Sequence, residues 1–475
     1  MSVLESVLIA FSIVAFIYYA VLNGLYLVLT VLAWFGMTDE VRTRRHVALD
    51  EVFRSPLTPG ISVLVPAFNE QAVIVESVRS LLALRYPRHE VVVVSDGSTD
   101  GTIDALTQAF DLAPVRKALR AGVPTAAVRG TYVSRRDRRL LVVDKENGGR
   151  SDALNAALRA ARHPYVCVID ADSLLEADAL LKVSKPILDD PDVLAATGGT
   201  IRIANSCRVD HGRVVDAHVP TNALAAIQVL EYLRAFLVGR VGWSRINALG
   251  IISGAFGLFH RSLVETVGGY STETVGEDFE LTIRLHRYLR ERDEPYRIAF
   301  VSDPVCWTEV PQDLTTLGRQ RRRWQRGLWE GLRKHQRMFL NPRYGVIGLV
   351  ALPYFAIFEF LSPLFALLGL VVTILLWAFG VISTSYFLLF LVVSIGMGLL
   401  LTTAALALEE LAFRRYRRSE MLRLLGYAVL ENFGYHQLHD IWRTIGYFDI
   451  ARGKKGWGQQ QRRGFAPAAD ETAAV

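Results

Sequence analysis

Ser6 to Thr38 is a run of 33 positions without a charged residue. An α-helix needs only about 20 such residues to cross a bilayer. The run is too long for a signal-peptide core and lacks an Ala-x-Ala-type cleavage site. It predicts one tilted transmembrane helix. Arg42, Arg44 and Arg45 follow at once, which predicts an outside N-terminus and a cytoplasmic chain from Arg42 onward. A second uncharged run, of 49 positions, extends from Phe360 to Leu408. It predicts two helices joined near Gly380 to Ser385, after which Arg414, Arg415, Arg417 and Arg418 bring the chain back to the cytoplasm. Tyr344 to Phe358 is apolar, is broken by Pro353, and reads either as the start of a spanning helix or as an interfacial one. Met421 to Ile450 carries Glu431, Asn432, His436, His439, Asp440 and Arg443. A lipid-exposed span would be penalised for these groups, so amphipathic interfacial helices are the preferred reading, with a fourth span as the alternative.

The net charge is +6. On a chain with spans at both ends it reflects cations gathered on the cytoplasmic side and not a nucleic-acid partner. Cys167, Cys207 and Cys306 have no CxxC spacing. They read as free, buried thiols in a reducing compartment.

Between the spans, residues 60 to 310 alternate in an α/β manner. Four apolar runs, around Val63, Val92, Val142 and Val168, end in polar clusters, and helical stretches lie at Ala72–Leu84 and Ser151–Ala161. Such runs predict a mostly parallel, Rossmann-like sheet buried on both faces. Ligands of these sheets sit beyond the carboxyl ends of the strands. That edge would carry Asn69, Glu70, Asp96, Lys145, Asp170 and Asp172. Residues 110 to 140 read as an insertion, either a loop or peripheral strands.

Asp170 and Asp172 form a D-x-D at a strand end, so both point to one side of the extended chain. The pair suits Mg²⁺ or Mn²⁺ shared with phosphate oxygens. Solvated strand-end aspartates are the plainer reading. Asp96, in "SDGSTDGT", makes either a turn that accepts hydrogen bonds from a nucleoside or an ordinary Asp-Gly turn. Lys145 and Arg150 flank "ENGG", where glycines permit close backbone approach and a helix N-terminus follows; the two cations can complement phosphate. The order of a Walker loop is absent. Glu277 and Asp278 open an amphipathic helix. One of them could be a general base for a sugar hydroxyl, or both could simply complement the helix dipole. Phe256 and Phe259, in "SGAFGLFHR", could stack on a sugar ring or fill the core. In "GRQRRRWQRGLWEGLRKH", Arg319, Arg322, Arg326 and Arg333 fall towards one side of a helix and could meet anionic lipid headgroups.

Together these pieces resemble the membrane-embedded, processive family 2 glycosyltransferases. These are the synthases of cellulose, hyaluronan, chitin oligomers and poly-N-acetylglucosamine. Asp96 stands as the first Asp, Asp170-Ala-Asp172 as D-x-D, Glu277-Asp278 as the T/G-E-D motif, and Gln320 to Trp324 as Q-x-x-R-W. The resemblance covers most of residues 1 to 460. It implies a GT-A-type cytoplasmic domain plus transmembrane and interfacial helices. It divides the chain into a span at 1–38, the transferase domain at 39–310, interface helices at 311–343, membrane helices at 344–410, interfacial helices with a candidate gating loop at 411–458, and a tail at 459–475. "KENGGRSDALNAAL" and "SGAFGLFHR" are closest in wording to the poly-N-acetylglucosamine synthases.

The resemblance further implies roles. Asp96, with Glu70, would hold uridine. Lys145 would assist at the nucleotide. Asp172, supported by Asp170, would bind the metal. Asp278 would deprotonate the acceptor, with Glu277 beside it. Gln320 and Arg323 would stabilise the leaving diphosphate. Trp324 would stack under the acceptor sugar. Trp457 and Arg462 would belong to the candidate gating loop, or to a basic membrane-facing tail. The implied activity is inverting, processive transfer from a UDP-sugar, favoured as UDP-N-acetylglucosamine, to a polysaccharide exported through the plasma membrane, with accessory export or modifying proteins. The alternatives are a non-processive enzyme loading a lipid carrier and a cellulose- or hyaluronan-type synthase. Gly276 replaces the usual Thr before Glu-Asp, no F-x-V-T-x-K loop is present, and a single N-terminal span replaces the two of some relatives.

Overall fold

The computed structural model describes residues 3–44, 49–210 and 212–454. Its middle is a ten-stranded sheet in the order Leu112–Pro114, Val128–Ser134, Leu140–Lys145, His89–Asp96, Ile61–Ala67, Tyr165–Ile169, Phe256–His260, Leu194–Ile203, Arg297–Thr308, Leu174–Leu175. The four strands from Leu140–Lys145 to Tyr165–Ile169 are parallel. Phe256–His260 runs against both its neighbours, and Leu194–Ile203 and Arg297–Thr308 are again parallel. The sheet is therefore mixed: its six central parallel strands are interrupted by Phe256–His260, and Val128–Ser134 runs antiparallel to Leu140–Lys145. Every residue of His89–Asp96 is buried, as a strand covered on both faces requires. Helices appear at Ile74–Leu82, inside the stretch expected, and at Arg150–Ala160, offset by one residue from Ser151–Ala161. The insertion contributes the peripheral strands Leu112–Pro114 and Val128–Ser134. All three cysteines are free and buried.

Shared direction has a consequence for chemistry. Ala67, Asp96, Lys145 and Ile169 all end at one edge, so the polar residues that follow them converge there.

The first helix, Val3–Arg44, has 42 residues. Phe16, Val28 and Phe35 project outward, while Leu29, Ala33 and Met37 are buried. The buried stripe meets the helix Val241–Arg245, where a Cβ on Gly242 would lie 2.8 Å from the Leu29 carbonyl oxygen. Small residues allow this close approach, as in membrane helix pairs. The uncharged run near the C-terminus forms Ser362–Ala378 and Thr384–Ala412. Gly380, with φ +72°, makes the turn between them. Val7–Glu40 and Thr384–Ala412 are each long and apolar enough to cross a membrane. Ile347–Phe360 and Ser362–Ala378, bent by 45°, make a third when counted as one span.

The membrane helices are fastened to the sheet. Arg202, on Leu194–Ile203, donates to Glu409 on Thr384–Ala412, with side chains 2% and 0% exposed. The Trp307, Phe413 and Tyr416 rings surround the guanidinium at 5.3 to 6.0 Å. Two further helices, Arg418–Leu430 and Tyr435–Ala451, break at Gly434, φ +103°. Their polar groups face inward: Glu431 meets Arg234 at 2.5 Å, and Asp449 accepts from Arg322 at 2.7 Å. Leu422, Leu430, Phe433 and Phe448 face outward.

Candidate active site

A cavity of 2260 Å³ opens at the carboxyl edge of the sheet. Its wall includes Glu70, Asp96, Asp170, Asp172, Glu277, Asp278, Gln320, Arg323 and Trp324. Residues spread over 255 positions of sequence thus share one space. The same wall continues to Tyr26 on the first helix and to Gly398, Leu401 and Thr402 on Thr384–Ala412.

Asp96 ends its strand with both carboxylate oxygens engaged. Oδ1 accepts from Lys145 Nζ at 2.5 Å and from Gly148 N at 3.0 Å, and Oδ2 accepts from Gly149 N at 2.7 Å. The carboxylate therefore braces the "ENGG" loop. Gly149 takes φ +88° there, a conformation open to glycine. Lys145 is fully buried between Asp96 and Asp152, the latter at 2.6 Å. It lies behind the cavity wall and reaches the site only through Asp96.

Arg150 follows the loop and joins the two acidic motifs. Its Nη2 donates to Asp170 Oδ1 at 2.7 Å and to the Gly254 carbonyl at 2.7 Å, and its Nη1 donates to Glu277 Oε1. Burial would lower this guanidinium's pKa, but Asp170 and Glu277 outweigh burial and hold it above the ordinary value. Burial pushes the Glu277 carboxyl above the usual carboxylate range, against the pull of Arg150. Asp278 is half-buried beside it; its Oδ2 accepts from Gly254 N at 3.1 Å.

The helix Leu314–Lys334 carries Gln320, Arg323 and Trp324. Its N-terminus is capped by Asp313, whose side chain accepts from Thr316 N. Arg323 is half-buried; burial lowers its pKa, with Glu277 and Asp170 opposing. Trp324 is 44% exposed, and its ring lies 4.4 Å from the Arg321 guanidinium.

Two expectations are corrected. Phe256 does not reach the cavity. It is 0% exposed, packed near Gly199, and Ser253, Gly254 and Ala255 form the wall instead. Arg319, Arg322, Arg326 and Arg333 do not form a lipid-facing row. Arg322 is held by Asp449, Arg326 is buried, and Arg326 and Arg333 line the cavity. Trp457 and Arg462 lie outside the described residues.

Two arginines were under-read in sequence. The sequence presents Arg150 only as a phosphate cation, and nothing local signals its tie to Glu277. Arg240 left a signal, a lone cation within the apolar run "AFLVGRVGW". It lines the cavity, and its guanidinium lies 3.7 Å from the Phe236 ring centroid. Burial lowers its pKa to about 10, with Asp278 opposing.

The family model for glycosyl transferase family 2 matches residues 62–213, and that for glycosyl transferase family group 2 matches residues 165–405. The poly-beta-1,6-N-acetyl-D-glucosamine synthase of Staphylococcus aureus (strain COL) is 29% identical over 301 residues, covering 62% of this chain and 60% of that protein. The synthase of the same name from Staphylococcus epidermidis is 28% identical over 271 residues, covering 56% and 54%. The match thus spans three fifths or less of these relatives' own length. Among solved structures, a mannosyltransferase from Pyrobaculum calidifontis, in complex with GDP-Man and Mn²⁺, is 21% identical, with a TM-score of 0.49 over 91% of this chain and 100% of that one.

Proposed function

The chain belongs to the family 2 glycosyltransferases, and from that membership we propose that it polymerises N-acetylglucosamine from UDP-N-acetylglucosamine, processively and with inversion, into a β-linked polysaccharide that it exports. The observation that carries this reading is the shared cavity, whose wall runs from the carboxylates at the sheet edge to the membrane helices. The product in the relatives' name, a β-1,6-linked polymer, is the first to test.

In this reading the acceptor hydroxyl attacks the anomeric carbon while Asp278 takes its proton. UDP leaves from the opposite side. Arg323 balances its growing negative charge and the Gln320 amide donates to it, and Arg150 holds Asp170 and Glu277 in place. Asp96, with Glu70, receives the nucleoside, and Lys145 supports Asp96 from behind. Trp324 offers a face for the acceptor sugar. Asp172 and Asp170 fit a hard cation, being oxygen donors two positions apart on the cavity wall. Among the described residues no third Asp, Glu, His or Cys joins them in a group, so the remaining positions would fall to diphosphate and water. A bound Mg²⁺ or Mn²⁺ would supply charge neutralisation at the diphosphate.

The protein is a membrane protein. We place its catalytic domain in the cytoplasm and its N-terminus outside, from the arginines after each apolar run. Helices Arg418–Leu430 and Tyr435–Ala451 rest on the membrane surface through their apolar faces. The test is incorporation of label from a panel of UDP-sugars by the purified protein, followed by linkage-specific hydrolases and sizing of the product. Label from UDP-N-acetylglucosamine in long, β-linked chains supports the reading. Single-sugar products on a lipid carrier overturn processivity.

A further inference from the structure

Among the described residues, Arg240 has no carboxylate bonded to it. Its Nη1 is buried and meets no hydrogen-bond acceptor among the described residues. Three other arginines of the cavity wall are paired: Arg150 with Asp170 and Glu277, Arg234 with Glu431, and Arg321 with Glu231. A buried N–H left unmatched is costly, and Arg240 as a whole is only partly buried and lines the cavity, so a ligand oxygen at its open side gains a charge-assisted bond. The surroundings narrow the ligand. Phe236 lies under the guanidinium, and Trp243, Tyr354 and Phe355 form an aromatic group on the same wall, with Trp243 and Tyr354 rings 5.1 Å apart. Such walls suit the face of a sugar and its apolar substituents. The diphosphate has its own cations, Arg150 and Arg323, beside Asp170. Asp278, which meets the attacking hydroxyl in the reading above, lines the same cavity as Arg240 and is the carboxylate whose charge acts most on it, which favours the acceptor side for Arg240. Among the groups of a neutral amino sugar, an amide carbonyl oxygen is the strongest acceptor for a guanidinium, whereas a free amine would arrive as an ammonium and be repelled.

We propose that Arg240 is an acceptor-binding residue that donates to the amide carbonyl of an N-acetylated sugar in the growing chain, and so selects acetylated over de-N-acetylated acceptors. This rests on the acceptor assignment of the proposed function. The test uses the full chain in nanodiscs as wild type, Arg240→Met and Arg240→Lys. Calorimetry measures binding of a β-1,6-linked N-acetylglucosamine tetramer, its fully de-N-acetylated counterpart, and UDP. The wild type should prefer the acetylated tetramer. Arg240→Met should weaken it by roughly tenfold, as expected for loss of a charge-assisted bond, and narrow the preference. Arg240→Lys should lie between, and the UDP affinity should be common to all three. The inference is overturned if Arg240→Met binds the acetylated tetramer as tightly as wild type. It is also overturned if both variants lose UDP and tetramer together. A wild type that binds UDP but neither tetramer overturns it while leaving the donor reading intact. A wild type that binds the tetramers with the expected preference but not UDP refutes the donor reading and upholds the inference if the variants follow.

Discussion

Gly276 and Gly327 touch backbone to backbone. A Cβ on Gly276 would lie 3.0 Å from the Gly327 Cα, and one on Gly327 would lie 2.9 Å from both the Cα and the N of Gly276. Gly276 immediately precedes Glu277-Asp278, and Gly327 sits three residues after Trp324. The contact sets the spacing between the acidic pair and the Q-x-x-R-W helix. It also gives a reason for glycine where relatives of this type carry Thr. Gly327→Ala should destabilise the protein by about 1–3 kcal/mol, the usual scale of overpacking, and Gly276→Thr should do at least as much. Thermal midpoints in detergent check this, and sugar transfer should fall in both variants.

Asp278→Asn tests the proposed base. General-base catalysis contributes roughly 10²–10⁴-fold, so turnover should drop by that factor. UDP affinity should hold, because Asp278 bonds Gly254 N and takes no part in the bonds by which Asp96 holds the loop at Gly148 and Gly149. Single-turnover transfer and UDP calorimetry separate the two effects. Transfer at the wild-type rate would remove Asp278 from the mechanism.

Lys145 carries a different expectation. Replacing it with Met leaves Asp96 and Asp152 without their buried cation. Breaking one partner of a buried pair costs about 3–5 kcal/mol. Lys145→Met should thus lower the melting temperature and weaken UDP binding through a loosened Asp96. A variant that melts like wild type but has lost UDP would instead put Lys145 in direct contact with the nucleotide.

Glu90 gives a pH dependence far from the active site. Burial would raise its pKa, but bonds from Ser62 Oγ, Arg162 N and Arg162 Nε, each 2.6 Å, outweigh burial and lower it. Below pH about 4.3 the unfolded carboxyl takes a proton that the folded one still refuses. Glu90 therefore contributes stability above that pH and loses it as pH falls through the lower folded value. Glu90→Gln should be less stable at pH 7 and show a shallower loss on acidification, read by tryptophan fluorescence.

Legibility followed distance along the chain. The strands and their terminal carboxylates were readable because apolar runs and Asp-Gly turns are local patterns. The uncharged runs gave the membrane helices for the same reason. The bridge from Arg150 to Glu277 spans 127 residues, and no local pattern encodes it. Phe256 was misplaced because its strand is buried on both faces, so its aromatic residues carry no periodicity that separates a cavity wall from core. The arginine row was misassigned because the helix Tyr435–Ala451 packs against it, supplying Asp449 from 127 positions away.

The Arg202–Glu409 pair acts on neither donor nor acceptor, yet it bears on both. Because each charge is buried, separating them would strand both ions without solvent. The C-terminal end of Thr384–Ala412 therefore cannot slide or tilt without carrying the strand Leu194–Ile203 along. Lipid thickness, which sets the tilt of such a helix, thereby becomes a coordinate of the sheet itself. The pair makes the sheet and the apolar helix move as one body.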